Sequence, residues 1–123
     1  MATKPANAKQ KQWMSDVAEW ANDNIDLLYR FAPRQGVQLH HVLGRSAKHN
    51  KVAIGHWFII PVPFELHDVS SNHPLNVTHH KHVFTEKFGK QSEIFDRMVN
   101  DMEVCGYETP PFDAWQAIMR TNA

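Results

Sequence analysis

The sequence predicts an α+β domain in which a two-stranded antiparallel hairpin plus a helix is flanked by N-terminal and C-terminal helices. Three observations predict it. A long stretch with helical spacing opens the chain, two segments rich in β-branched and large apolar residues follow it closely, and helical segments punctuated by Gly and Pro complete it. With 42% of 123 residues apolar, one core is affordable without cross-links.

Residues 1–12 are polar and basic and predict a flexible tail ahead of a single domain spanning 13–123. Having no hydrophobic stretch, that tail is not read as a secretory leader. Trp13, Val17, Trp20, Asn24, Leu27, Leu28 and Phe31 recur at helical spacing. Ser15 or Asp16 stands near the start, and Pro33 forbids continuation, which predicts a helix from about 13 to 31 with its aromatic stripe in the core.

Gly36 opens a short apolar strand, Val37 to Leu43, and Gly44 to Asn50 reads as a polar loop. Val52 to Val62 is the strongest strand signal, and the two segments are expected to pair as an antiparallel hairpin that Pro61 and Pro63 stop. Phe64 to His67 begins a short helical turn, and 68–76 is a loop by composition. Thr78 is expected to cap a helix to Phe88, stopped by Gly89, with Val77, His80, Phe84 and Phe88 on its buried face. Ile94, Phe95, Met98, Val99 and Met102 predict a helix over 91–104, ended by Gly106. Thr109-Pro110-Pro111 starts a last short helix carrying Phe112, Trp115, Ile118 and Met119. Cys105, near a helix end, is read as a buried small residue, and Trp57 and Trp115 as core.

Composition removes several classes. A single cysteine excludes a disulfide framework and a Cys-rich structural zinc site, and fits a reducing compartment. No apolar run reaches the length of a membrane span. Thirteen basic and 13 acidic residues give zero formal charge, which excludes a wholesale polycation. The charge is nevertheless segregated. Between Asp26 and Glu65 there is no acidic residue, while Arg30, Arg34, Arg45, Lys48 and Lys51 lie there. A local basic surface of this kind suits a polyanion.

All nine histidines fall between His40 and His82. His40 and His41 are neighbours on a predicted strand and point to opposite faces, so they are expected to take different roles, one as a metal ligand and one toward substrate. His67, His73, His79, His80 and His82 follow the hairpin. Imidazoles from a hairpin and the next helix can converge on one cation, and nitrogen ligands favour Zn, Ni, Mn or Fe over Mg. Three protein ligands with open positions would make the site catalytic.

The run LHHVLGR (39–45), the segment HWFIIPV (56–62) and His67 after PFEL resemble the HNH, or ββα-metal, endonuclease family. Within it, HHVLGR, FIIP, LH, SSNH and VFTEKFG resemble the phage recombination-enhancement nucleases, over residues 39–89. The resemblance implies an endonuclease that hydrolyses DNA phosphodiesters with one divalent ion, Zn, Ni, Mn or Mg. It implies His40 as a ligand, His41 as general base, His56 where an orienting Asn or Asp usually stands, and His67 as second ligand. The further ligand is His73, from the loop likeness, or His79 on the helix, with His80 the other helix-borne choice. Arg45 and Lys48, in the hairpin loop, are candidates to hold substrate phosphates. The implied setting is phage DNA recombination in a host cytoplasm, with DNA and a recombinase filament as partners and no membrane. Two departures stand out: His56 replaces the usual Asn, and no cysteine follows the second strand.

Two other readings carry different expectations. In a non-catalytic, His-ligated, metal-stabilised module that binds nucleic acid or protein, His41 is a ligand or bystander. In a small helical domain with a surface histidine patch, no metal binds.

Overall fold

The structure, a computed structural model, describes residues 5–30 and 36–123. Phe31, Pro33 and Arg34 lie outside the described residues. The architecture is mixed α+β, with helices around a small two-stranded antiparallel sheet.

Helix α1 runs Ala8–Tyr29, beginning five residues before the apolar stripe does. The cap explains the difference: Asn7 Oδ1 accepts from the Gln10 N–H at 2.8 Å, and Gln10 Oε1 accepts from the Asn7 N–H at 2.9 Å. Neither Ser15 nor Asp16 is at the start. The helix ends at Arg30, whose φ of 49° is left-handed. Trp13, Val17, Trp20 and Leu28 are buried as the spacing predicts, but Leu27 is exposed.

Strand β1, Val37–His41, pairs with a strand at Ile59–Pro63, leaving residues 42–58 as an excursion between them. Within it, β2 (Lys48–His49) and β3 (Val52–Ala53) form a minimal hairpin, so the expected loop and long strand are both divided. Asn50 and Lys51 turn it with φ of 48° and 68°, the left-handed pair that suits a tight hairpin. The Ile54 and Gly55 N–H groups both donate to the Ala47 carbonyl. Gly55 admits no side chain, since a Cβ there would lie 2.0 Å from the Arg45 carbonyl oxygen.

Strand β4, Ile59–Pro63, contains the two prolines expected to stop it. Hydrogen bonds at the two ends of the pair, Val42 N–H to Phe58 O and Phe64 N–H to Gly36 O, place the ladder bonds at even-numbered residues. Pro61 and Pro63 therefore sit where the missing N–H would point away from β1, and no ladder bond is lost. The strand is buried throughout.

The rest follows the sequence closely. Helix α2 is the single turn Phe64–His67. Helix α3, Lys81–Phe88, starts two residues late: its N-cap is His80, without a side-chain cap, because residues 78 and 79 are held in a turn whose N–H groups donate to Asn76 Oδ1. Thr78 instead donates its hydroxyl to the His67 carbonyl. Gly89 ends α3 at φ 94°. Helix α4 is Gln91–Val104 and helix α5 Phe112–Met119. Phe84, Ile94, Phe95, Met98, Met102 and Ile118 join Trp13, Trp20 and Phe58 in one core. Contrary to expectation, Cys105 and His80 are exposed, because each falls on the outward side of its helix end; Phe112, at the start of α5, is exposed as well.

Candidate metal centre

The histidine pair sits at the C-terminal end of β1. Side chains alternate along a strand, so Gln38 and His40 share one face and His41 occupies the other. Opposite them on the shared face of the pair are Val62 and Ile60, both fully buried. α2 follows β4 directly and returns its last residue, His67, to Gln38 and His40.

His40 Nδ1 lies 3.1 Å from His67 Nε2, with ring centroids 4.9 Å apart and planes inclined at 62°. The neighbours decide which nitrogens carry protons. Asp68 is a carboxylate held well below the usual range, first by the Ser70 hydroxyl and then by the Ser70 N–H and Gln38, so it only accepts. Gln38 Nε2 donates to Asp68 Oδ1 at 3.1 Å, which turns Gln38 Oε1 toward His67. That oxygen can only accept, so His67 carries its proton on Nδ1 and presents the bare lone pair of Nε2 to His40. A carboxylate acting on an imidazole from behind in this way is how metal-binding histidines are oriented.

Both rings are held neutral. Burial and then the facing His67 push His40 down to about 4, despite the opposing effect of the Gln91 side chain; Lys81, at the start of α3, adds a smaller push downward. Burial also lowers His67, against the pull of Asp68. Neutral imidazoles are the ligand form. Two nitrogens bound to a zinc-sized ion at about 2.0–2.1 Å stand roughly 2.9–3.4 Å apart for octahedral or tetrahedral angles, and the His40–His67 separation of 3.1 Å falls in that range. The contact is a hydrogen bond in which His40 Nδ1–H donates to His67 Nε2, and with that proton removed the same separation would suit two nitrogens on one divalent ion.

His41 belongs to a second grouping. Its ring stands edge-on to His56, centroids 5.5 Å apart and planes at 84°. Burial, then Arg45, then His56 lower its pKa, and its buried Nε2 has no hydrogen bond among the described residues. His56 lies in the turn preceding β4 rather than in a strand, and is 9% exposed. Arg45 is exposed in the turn after β1, and Lys48 is exposed on β2.

The other two candidate ligands are engaged elsewhere. His73 Nδ1 accepts from the Leu75 N–H at 3.0 Å, and His79 Nε2 donates to the Val69 carbonyl at 2.8 Å. Among the described residues, no three His, Cys, Asp or Glu side chains gather as an ion-binding group. Gln38, Asp68, Gln91 and Lys81 escaped the sequence reading. Only Gln38 had a visible signal, standing two residues before His40 and hence on its face.

Comparison with protein-family models, with curated proteins and with solved structures gives no match. Among the described residues no helix is long and apolar enough to cross a membrane.

Proposed function

We propose that the chain is a metal-dependent DNA endonuclease of the HNH type, built on a ββα-metal core of β1, β4 and the helical segments after them. The observation that carries this reading is the His40–His67 pair, 3.1 Å apart, with the lone pair of His67 aimed by Gln38 and Asp68. A bound divalent ion would supply charge stabilisation for the pentacovalent phosphate and the leaving oxygen. The protein supplies the rest. His41, held neutral beside Arg45 and His56, takes the proton from the attacking water, a role worth about 10²–10⁴-fold in rate. His56 steadies the His41 ring from its edge. Arg45, and Lys48 on the neighbouring hairpin, bind phosphates of the strand. The resemblance extends the proposal to phage DNA recombination in a host cytoplasm, alongside a recombinase filament.

A second reading uses the same pair. The metal held by His40 and His67 only braces the fold of a non-catalytic module, and His41, set against His56 on the other face, is a bystander. A nicking assay separates the two. Metal-stripped protein is incubated with supercoiled plasmid or single-stranded DNA and Mg²⁺, Mn²⁺, Ni²⁺ or Zn²⁺, beside His41→Ala. Cleavage that needs metal and vanishes in the variant, with fold and metal binding retained, supports the nuclease. Tight metal binding without cleavage of either substrate points to the module or to a nuclease that needs a partner to present its substrate, and absence of cleavage also with a recombinase filament on the DNA overturns the nuclease in favour of the module.

A further inference from the structure

We propose that Gln91 is the third protein donor to the ion at the His40–His67 pair, contributing its amide oxygen from the first residue of α4. The inference rests on reading that pair as a metal site.

Three observations lead to it. No third His, Cys, Asp or Glu joins the pair among the described residues, so a further donor must be of another type. Gln91 is 2% exposed, and its buried Oε1 makes no hydrogen bond of good geometry among the described residues, only a looser approach to the His40 ring. Its side chain nevertheless stands beside His40, near enough to act on that ring. A buried amide oxygen lacking a donor is costly. The first turn of a helix on a protein surface offers a glutamine an easy escape to water, yet Gln91 is turned inward. A cation held by the two imidazoles would satisfy the oxygen.

Such a donor set has a chemical signature. Two neutral imidazoles and a neutral amide cancel none of the ion's charge, and nearby Lys81 adds to it. The ion would keep its full double positive charge, so that an anionic phosphate oxygen becomes the natural fourth ligand. A carboxylate at the same position would bind the ion more tightly and weaken its pull on phosphate.

The test is a Co²⁺ titration of the full chain followed by visible absorption, with Zn²⁺ calorimetry beside it. It compares wild type, His40→Ala, Gln91→Ala and Gln91→Glu, with circular dichroism to confirm folding. The expected result is one ion per chain in wild type and loss of binding in His40→Ala. Gln91→Ala should bind at least ten-fold more weakly with an altered Co²⁺ band, and Gln91→Glu at least ten-fold more tightly. If both Gln91 variants match wild type in affinity and spectrum, the assignment of Gln91 is overturned and the two-histidine site stands. If wild type binds no ion, both fall. Should Gln91→Ala not fold, Gln91→Glu decides alone, because a carboxylate that is no ligand leaves the band unchanged.

Discussion

Gln38 and His67 fix one another: the ring's Nδ1–H donates to the Gln38 amide oxygen, and the amide's N–H₂ is spoken for by Asp68 at 3.1 Å. The amide cannot turn over without breaking both contacts, and the ring cannot without losing the first. The direction of the lone pair facing His40 is thereby decided by a carboxylate that never touches that ring.

Replacing Gln38 with Leu should therefore weaken divalent-ion binding while the fold persists, because His67 becomes free to rotate or change tautomer. Loss of such a supporting group typically costs roughly 10- to 100-fold in affinity. Zn²⁺ calorimetry on the variant checks it; unchanged affinity would show that the relay is idle.

The depressed titration of His40 has a consequence for stability. In the unfolded chain the ring protonates near 6.5, while in the folded protein it resists until about 4. Between those values the unfolded state binds the additional proton, so stability falls as pH falls through that window and is fully present above it. His41 and His67, lowered by burial, act in the same direction. Denaturant melts from neutral pH down to about 4 should show this loss, with a shallower slope in His40→Gln.

Asn76 is fully buried and ties together four backbone groups, donating to the carbonyls of Glu65 and Asp68 and accepting from the N–H groups of Thr78 and His79. It holds the segment after α2 that carries His67. Asn76→Ala strands several buried groups at once and should destabilise the protein by about 2–4 kcal/mol. Urea unfolding measures the effect, and a loss below about 1 kcal/mol would mean that water replaces the network.

Much of this architecture was legible before any coordinates. The spacing of Trp13, Val17 and Trp20 and of Ile94, Phe95 and Met98 reports burial directly, since a helix with one apolar stripe has only one way to face a core. Gly89 and Gly106 end their helices at positive φ, a conformation glycine adopts without penalty. The pairing of β1 with the far end of the second apolar segment was not legible. Local patterning cannot see that a two-residue hairpin at 48–53 takes up the intervening chain. At the candidate site, the nearness of His40 and His67 follows from the hairpin and the turn after it. The parts played by Gln38, Asp68 and Gln91 do not, because each is a glutamine or aspartate among many until folding brings it to an imidazole.

The two prolines of β4 bear on how the protein behaves in company. The outward-facing backbone nitrogens of that strand are those of Ile59, Pro61 and Pro63. Those of the prolines carry no hydrogen, and Ile59 gives its own to the Trp57 carbonyl. The Pro61 carbonyl is already held by the Tyr29 hydroxyl at 2.6 Å. A two-stranded sheet is ordinarily an invitation to recruit strands from other chains. Here the outer margin of β4 has no hydrogen to give, so growth of the sheet from that side, whether into a swapped dimer or a fibril, is closed off by the covalent structure of two residues.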